Sequence, residues 1–322
     1  MNSARGQDSA VPWLEPEDRW AAEEDRSPLV KIPRGLYKFA RRKPLGAFGG
    51  ALVFLLFFLA VFGAGISVGP IRVPAVAPYH YNAYELGENR LEGPSRSHIM
   101  GTDQLGRDIF SRLVYGARIS VFIGLGVFTI STLLSTSLTL VSAYYIRSVD
   151  LILQRLMEVV SFIPDLILLI ALFSIYGATP VTLVLTVGVL GGVNTSRVLR
   201  SVIIGLRGLP YVEAAKALGA SDRRIITRHI LPNVAFIIIV GATSAIAGAI
   251  TIEAGLAIIG FGLSPSYPSW GNMMNASREF LRVGPHMAIF PGLMLALTIF
   301  GFRLLGDALR DVLDPRLRGR GG

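Results

Sequence analysis

Leu209-Pro-Tyr-Val-Glu-Ala-Ala-Lys-Ala-Leu-Gly219, continued by Ala220-Ser-Asp-Arg-Arg-Ile-Ile-Thr-Arg-His-Ile-Leu-Pro232, is a polar segment set between two long apolar runs. Pro210 suits the first turn of a helix, where its missing N–H costs nothing. Gly219 can take the positive φ that ends one. Ser221 or Asp222 can cap a second short helix, with Ile225, Ile226, His229 and Ile230 at helical spacing. Pro232 is then expected to open the next apolar run. The segment therefore predicts a short helix, a turn and a second short helix. Ala214, Ala215 and Ala217 would let another surface approach closely, and Glu213 would supply a charge to steer it. Residue chemistry alone leaves two readings: an interfacial hairpin between spans, or a docking surface for a partner.

The surrounding composition fixes the medium. Of 322 residues, 52% are hydrophobic and only 16% are charged, against about 25% charged in soluble domains. Apolar runs lie at about 45–66, 119–146, 157–176, 180–196, 232–252 and 283–302, and ~20 apolar residues cross a ~30 Å hydrocarbon core as a helix. The expectation is an all-α membrane protein of six transmembrane helices. Residues 254–271 are apolar but broken by Gly255, Gly260, Gly262, Pro265 and Pro268. A seventh span there would put the Arg-rich C-terminus outside, against the positive-inside rule. That stretch is read as external or re-entrant, covered by protein. Both termini and 205–229 are then cytoplasmic, in the inner membrane, and 67–117 is external.

The net charge of +9 would suggest nucleic acid in a soluble protein. Here the basic residues flank apolar runs, so orientation in lipid is the reading and no nucleic-acid partner is expected. The absence of cysteine removes disulfides, thiolate metal ligation and thiol catalysis. Residues 1–30 read as an acidic, disordered cytoplasmic tail rather than a cleavable signal. The remaining division is an N-terminal region over 31–117, a core over 118–316 containing the hairpin at about 207–232, and a tail over 317–322.

Gly101-Thr-Asp-Gln-Leu-Gly-Arg-Asp108 precedes the second run. Gly101 and Gly106 flank Thr102 and Asp103, which suit an Asx-type turn, and Arg107 stands between Asp103 and Asp108 as an ion-pair partner. The stretch reads as a cap on the outer end of the second span or as a substrate contact. Asp165, Asn194 and Glu253 are the polar groups expected in or beside spans, and an ionisable residue in a span is a functional candidate. Asp165 suits either the transport pathway or an interhelical hydrogen bond. Glu158 can pair with Arg155 one turn away. Arg147, Asp150 and Arg155 are taken as a short turn at the inner face. His80, His98 and His286 show no metal-ligand spacing and read as incidental.

With those residues in view, the hairpin resembles the Glu-Ala-Ala loop of bacterial ATP-binding cassette (ABC) importer permeases: Glu213, Ala214, Ala215, Gly219, Leu231 and Pro232 match its pattern. The Gly101–Asp108 stretch with Ser111-Arg112 resembles a motif of the dipeptide/oligopeptide/nickel branch, second or C-type subunit. So do Gly260-Phe-Gly-Leu263 with Pro268-Ser-Trp-Gly271, and Leu305-Gly-Asp-Ala-Leu-Arg-Asp-Val-Leu-Asp-Pro-Arg316. The likeness covers about 35–316. Asp165, Glu158 and Asn194-Thr195-Ser196 depart from the usual pattern.

The resemblance implies a type I importer permease that forms half a pore with a second homologous subunit. It also implies two cytoplasmic P-loop ATPase subunits that carry ATP and Mg, an external solute-binding protein, and no cofactor on this chain. Glu213, Ala214, Ala215, Gly219 and Pro232 would couple to the ATPase. Peptides are the implied cargo, with nickel chelates or oligosaccharides as alternatives. An intramembrane metalloprotease lacks its motif here, there being no His-Glu-x-x-His. No Gly-Lys pair exists to form a P-loop. An ion-coupled secondary transporter stays open as the alternative of another class, without visible inverted repeats.

Overall fold

The computed structural model describes residues 37, 39–68, 71–73, 75–83, 90–144 and 147–313. The expected tails at 1–30 and 317–322, and the basic residues Lys31, Arg34 and Lys38, lie outside the described residues. Residues 1–44 form a unit of their own, in which Lys43 N–H donates to Phe39 O at 2.8 Å. The second unit, from Leu45 onward, carries the rest.

Helix α1 (Pro44–Phe62) leads into a two-stranded antiparallel ribbon, β1 (Ile66–Val68) and β2 (Ile71–Val73). Helix α2 (Ile109–Tyr144) follows, then α3 (Arg147–Phe162), α4 (Asp165–Tyr176), α5 (Pro180–Arg207) and the short α6 (Pro210–Ala217). Helix α7 runs from Asp222 to Ile258, then α8 (Trp270–Ser277), a 3-10 turn (Arg278–Phe280) and α9 (His286–Leu313). Five of these helices are long and apolar enough to cross a membrane, and α3 with α4, bent by 80°, completes six if the pair is one span. The all-α expectation of six crossings stands.

Five features of the helices differ from expectation. Helix α2 starts ten residues before the uncharged run, because Asp108 caps it: Asp108 Oδ2 accepts Ser111 N–H at 2.7 Å. The charges this brings into the helix are answered, Arg112 by Tyr81 O at 3.3 Å and Arg118 by Ala60 O at 3.1 Å, one of the orphan carbonyls closing α1. Arg147, Asp150 and Arg155 do not form a turn but open α3, an amphipathic helix. The third span is not continuous, since Pro164 cannot donate to the helix ladder and α4 begins after it. Helix α7 starts at Asp222, not at Pro232. It passes Pro232 through a π-helical turn over Ile226–Ile230, where Leu231 N–H reaches Ile226 O, a usual way to absorb a proline within a helix. Finally, α9 begins at His286 and runs on through the C-terminal motif to Leu313.

Three buried clusters hold the bundle. Leu56, Ile109, Ile250, Trp270 and Phe302 join α1, α2, α7, α8 and α9. Trp270 is fully buried, and its indole donates to Leu113 O at 2.9 Å. Ile123, Leu169, Phe173, Leu183 and Leu256 join α2, α4, α5 and α7. Leu199, Ile203, Val212, Ile225, Ile230 and Val234 fix the hairpin beneath α5 and α7. Lipid tails are as apolar as these side chains, so close van der Waals packing, and not release from water, joins the spans within the bilayer.

Candidate functional site

The hairpin ends α6 with a Schellman motif. Gly219 sits at φ +80°, its N–H bonds Lys216 O, and Ala220 N–H bonds Ala215 O, both at 3.0 Å. This closes the carbonyls of α6 and reverses the chain into α7. Glu213, Ala214, Lys216 and Ala217 are exposed along α6, while Val212 is buried, as is Ile225 at the start of α7. The hairpin thus shows a solvent-facing surface above an apolar base. Leu218, at its tip, is 89% exposed. Arg207, Glu213 and Lys216 border a cavity of about 410 Å³ with Val212 and Ile225. Pro232 stands inside α7 and is exposed, ten residues past the turn.

A groove of about 420 Å³ opens between α2, α5 and α7. Its polar lining is all hydroxyl: Ser131, Thr132, Ser135, Thr195 and Ser244, set among Phe128, Val198 and Ile237. Hydroxyls both donate and accept, so the groove can meet neutral amides without a fixed charge. None of Asp165, Asn194 and Glu253 lines it. Asn194 is exposed on α5 beside Thr195. Glu253 is 3% exposed near the C-terminal end of α7, against α8. Asp165 is the first residue of α4, exposed beside the break. The structure does not bring the three together.

The external motif is a compact cap. Gly101 takes φ +79°, and a Cβ there would lie 2.4 Å from Glu92 O and 2.8 Å from the His286 ring, so both space and backbone demand glycine. Asp103 Oδ1 accepts Leu105 N–H at 2.8 Å and Arg107 N–H at 3.0 Å, the expected Asx-type turn. Arg107 Nε donates to Asp103 Oδ2 at 2.7 Å. Thr102 and Asp108 pair as an isolated bridge. Asp108 does not share Arg107, as the sequence suggests. It faces His98, with Nδ1 to Oδ1 at 3.0 Å and both side chains buried. His286 Nε2 lies 3.1 Å from Thr102 O. Reading His98 and His286 as incidental is therefore wrong: His98 holds the residue that caps α2, and His286 ties the loop before α2 to the start of α9. Local spacing carries no signal for a contact 184 residues apart.

Deeper in, Arg200 holds Asp150 through two hydrogen bonds, at 3.0 and 2.5 Å, and Arg197 donates to Met157 O and Ser161 Oγ at 2.8 and 2.7 Å. The polar side of α3 is thereby joined to α5. The expected Arg155–Glu158 pair forms on the surface at 2.7 Å.

A bundle of apolar helices, a hydroxyl-lined groove among them and a hairpin packed beneath the groove's own helices together define a membrane transport component. The model of the family described as "binding-protein-dependent transport system inner membrane component" matches residues 135–319, and the chain belongs to that family. It is 34% identical over 309 residues to a dipeptide transport system permease protein from Alkalihalophilus pseudofirmus, covering 96% of this chain and 98% of the relative. It is 35% identical over 294 residues to a glutathione transport system permease protein from Pectobacterium atrosepticum, covering 91% and 94%. The chain is a multi-pass inner-membrane permease subunit of an importer.

Proposed function

We propose that this permease carries peptides and is one of two homologous subunits enclosing a pore. Two cytoplasmic P-loop ATPase subunits, which hold ATP and Mg, dock beneath it, and an external solute-binding protein delivers the cargo. Relatives named for dipeptide and glutathione transport support the peptide reading. Both termini and the hairpin are cytoplasmic, which is supported by exposed Arg223, Arg224 and Arg228 on the hairpin and Arg303 on the last helix.

The observation that carries the mechanism is the shared packing of hairpin and groove. Val212 and Ile225 belong to one buried cluster with Leu199, and Ile237 and Ile238 pack against that cluster; Leu199, Ile237 and Ile238 also line the groove. Displacement of α6 by a closing ATPase pair therefore moves groove-lining side chains directly, since a close-packed core transmits strain. Glu213, Ala214, Ala215 and Gly219 form the coupling surface, and Pro232 sits in the helix that relays it. The hydroxyl groove is half of the path. Its neutral lining accepts varied peptides and discriminates weakly among them, so selection rests with the binding protein. The Gly101–Asp108 cap holds the outer end in register.

The test is reconstitution of the complex in lipid with its binding protein. A peptide-loaded binding protein should stimulate ATP hydrolysis several-fold over the empty protein. Stimulation by an oligosaccharide- or nickel-chelate-loaded protein, with peptides inert, would overturn the cargo assignment.

A further inference from the structure

The bend between α3 and α4 leaves a surface that lipid cannot cover. Helix α3 turns its polar side inward, where Asp150, Met157 O and Ser161 are taken up by Arg200 and Arg197 of α5. Its apolar side is bare: Leu151, Ile152, Val159 and Phe162 are 59%, 62%, 65% and 84% exposed, and Leu166 and Ile167 continue the face past the break. In the middle of this apolar field stands Asp165, exposed, with no hydrogen-bond or ion-pair partner among the described residues. Ile167 and Leu168 N–H both reach Pro164 O, but Pro164 provides no side-chain cap, so the Asp165 and Leu166 N–H groups lie outside the helix's own ladder.

Depth makes these groups costly. Helix α4 has 12 residues, about 18 Å at 1.5 Å per residue, and connects at Gly177–Thr179 to the start of the α5 span. That is short of the ~30 Å hydrocarbon core. Asp165 and the broken backbone thus lie within the thickness of the bilayer. Irregular backbone at that depth is tolerated only against protein or water, and a carboxylate there needs a partner. A water-filled peptide path would not be walled by six large bare aliphatic and aromatic side chains. A protein surface that is apolar, with a donor for the carboxylate and an acceptor for the freed N–H groups, satisfies every group.

We infer that the α3–α4 elbow, centred on Asp165, is the face on which the second transmembrane subunit packs, and that this subunit presents a basic or amide side chain to the Asp165 carboxylate. The inference rests on the two-subunit reading given above and adds which face is used and what chemistry meets it.

Because the chain has no cysteine, single sites can be probed in the full complex in lipid nanodiscs. A benzophenone maleimide on Phe162→Cys or Ile167→Cys should form photoadducts with the second transmembrane subunit, at least tenfold above the same probe on Leu133→Cys of α2. Adducts with lipid alone, or with a second copy of this chain, would overturn the inference. Asp165→Leu should lower co-purification of the second subunit several-fold, with Asp165→Asn keeping most of it through its amide. Asp165→Cys should resist a bulky water-soluble maleimide, and rapid labelling would assign the elbow to the aqueous path instead. A second subunit that co-purifies but gives no adduct defeats the inference alone. Absence of any second transmembrane subunit defeats the two-subunit reading itself.

Discussion

His98 Nδ1 and Asp108 Oδ1 lie 3.0 Å apart with their side chains 3% and 2% exposed, the same aspartate capping α2 through its other oxygen. One residue thus ends the Gly101–Asp108 loop and starts α2. His98→Ala would leave a buried carboxylate oxygen without its partner, which for buried pairs costs about 3 kcal/mol. Asp108→Asn should cost less, since asparagine caps helices nearly as well. Thermal unfolding of the purified chain in detergent should rank the two variants in that order. Equal midpoints for wild type and His98→Ala would show that the pair does not hold the cap.

Trp270 joins α8 to α2 through its indole hydrogen bond to Leu113 O. Trp270→Phe keeps an aromatic ring but removes the second donor to a carbonyl that the α2 ladder also uses, at a cost of about 0.5–1.5 kcal/mol. The expected outcome is a lower unfolding midpoint together with faster proteolysis between α7 and α9. An unchanged midpoint would remove this bond from the account of how the external segment is anchored.

Orientation is open to direct labelling. Ser221→Cys on the hairpin should react with an impermeant maleimide only after the membrane is opened, and Ile99→Cys on the external cap should react in intact cells. Both residues are exposed, so a negative result reflects sidedness and not burial. The reverse pattern would invert the topology.

Much of this architecture was legible in local sequence. Six apolar runs gave six crossings, and Pro210 and Gly219 gave the hairpin's start and stop, because span length and turn chemistry are local properties. The start of α2 was not legible from hydropathy, since Arg112 and Arg118 look unfit for a span until their carbonyl partners are known. Asp108 as a cap was the available signal. The merging of the second hairpin helix into α7 was hidden because Pro232 reads as a start, although a π-helical turn carries the helix past it. The role of His286 in the cap depends on a contact 184 residues away. The hydroxyl groove needed three helices in register, and only the Ser/Thr content of the second run, with Ser131, Thr132 and Ser135, pointed toward it.

The central claim is that ATP-driven motion enters this permease through the turn at Gly219. Nothing lies within 4 Å of a Cβ built there, so substitution acts through backbone conformation and not through a clash. At φ +80° asparagine is tolerated and a β-branched residue is strained. In the reconstituted complex, substrate-stimulated ATP hydrolysis should be near wild type for Gly219→Asn and lost for Gly219→Val, with the permease inserted and its subunits assembled in both. Wild-type stimulation and uptake by Gly219→Val would contradict the account.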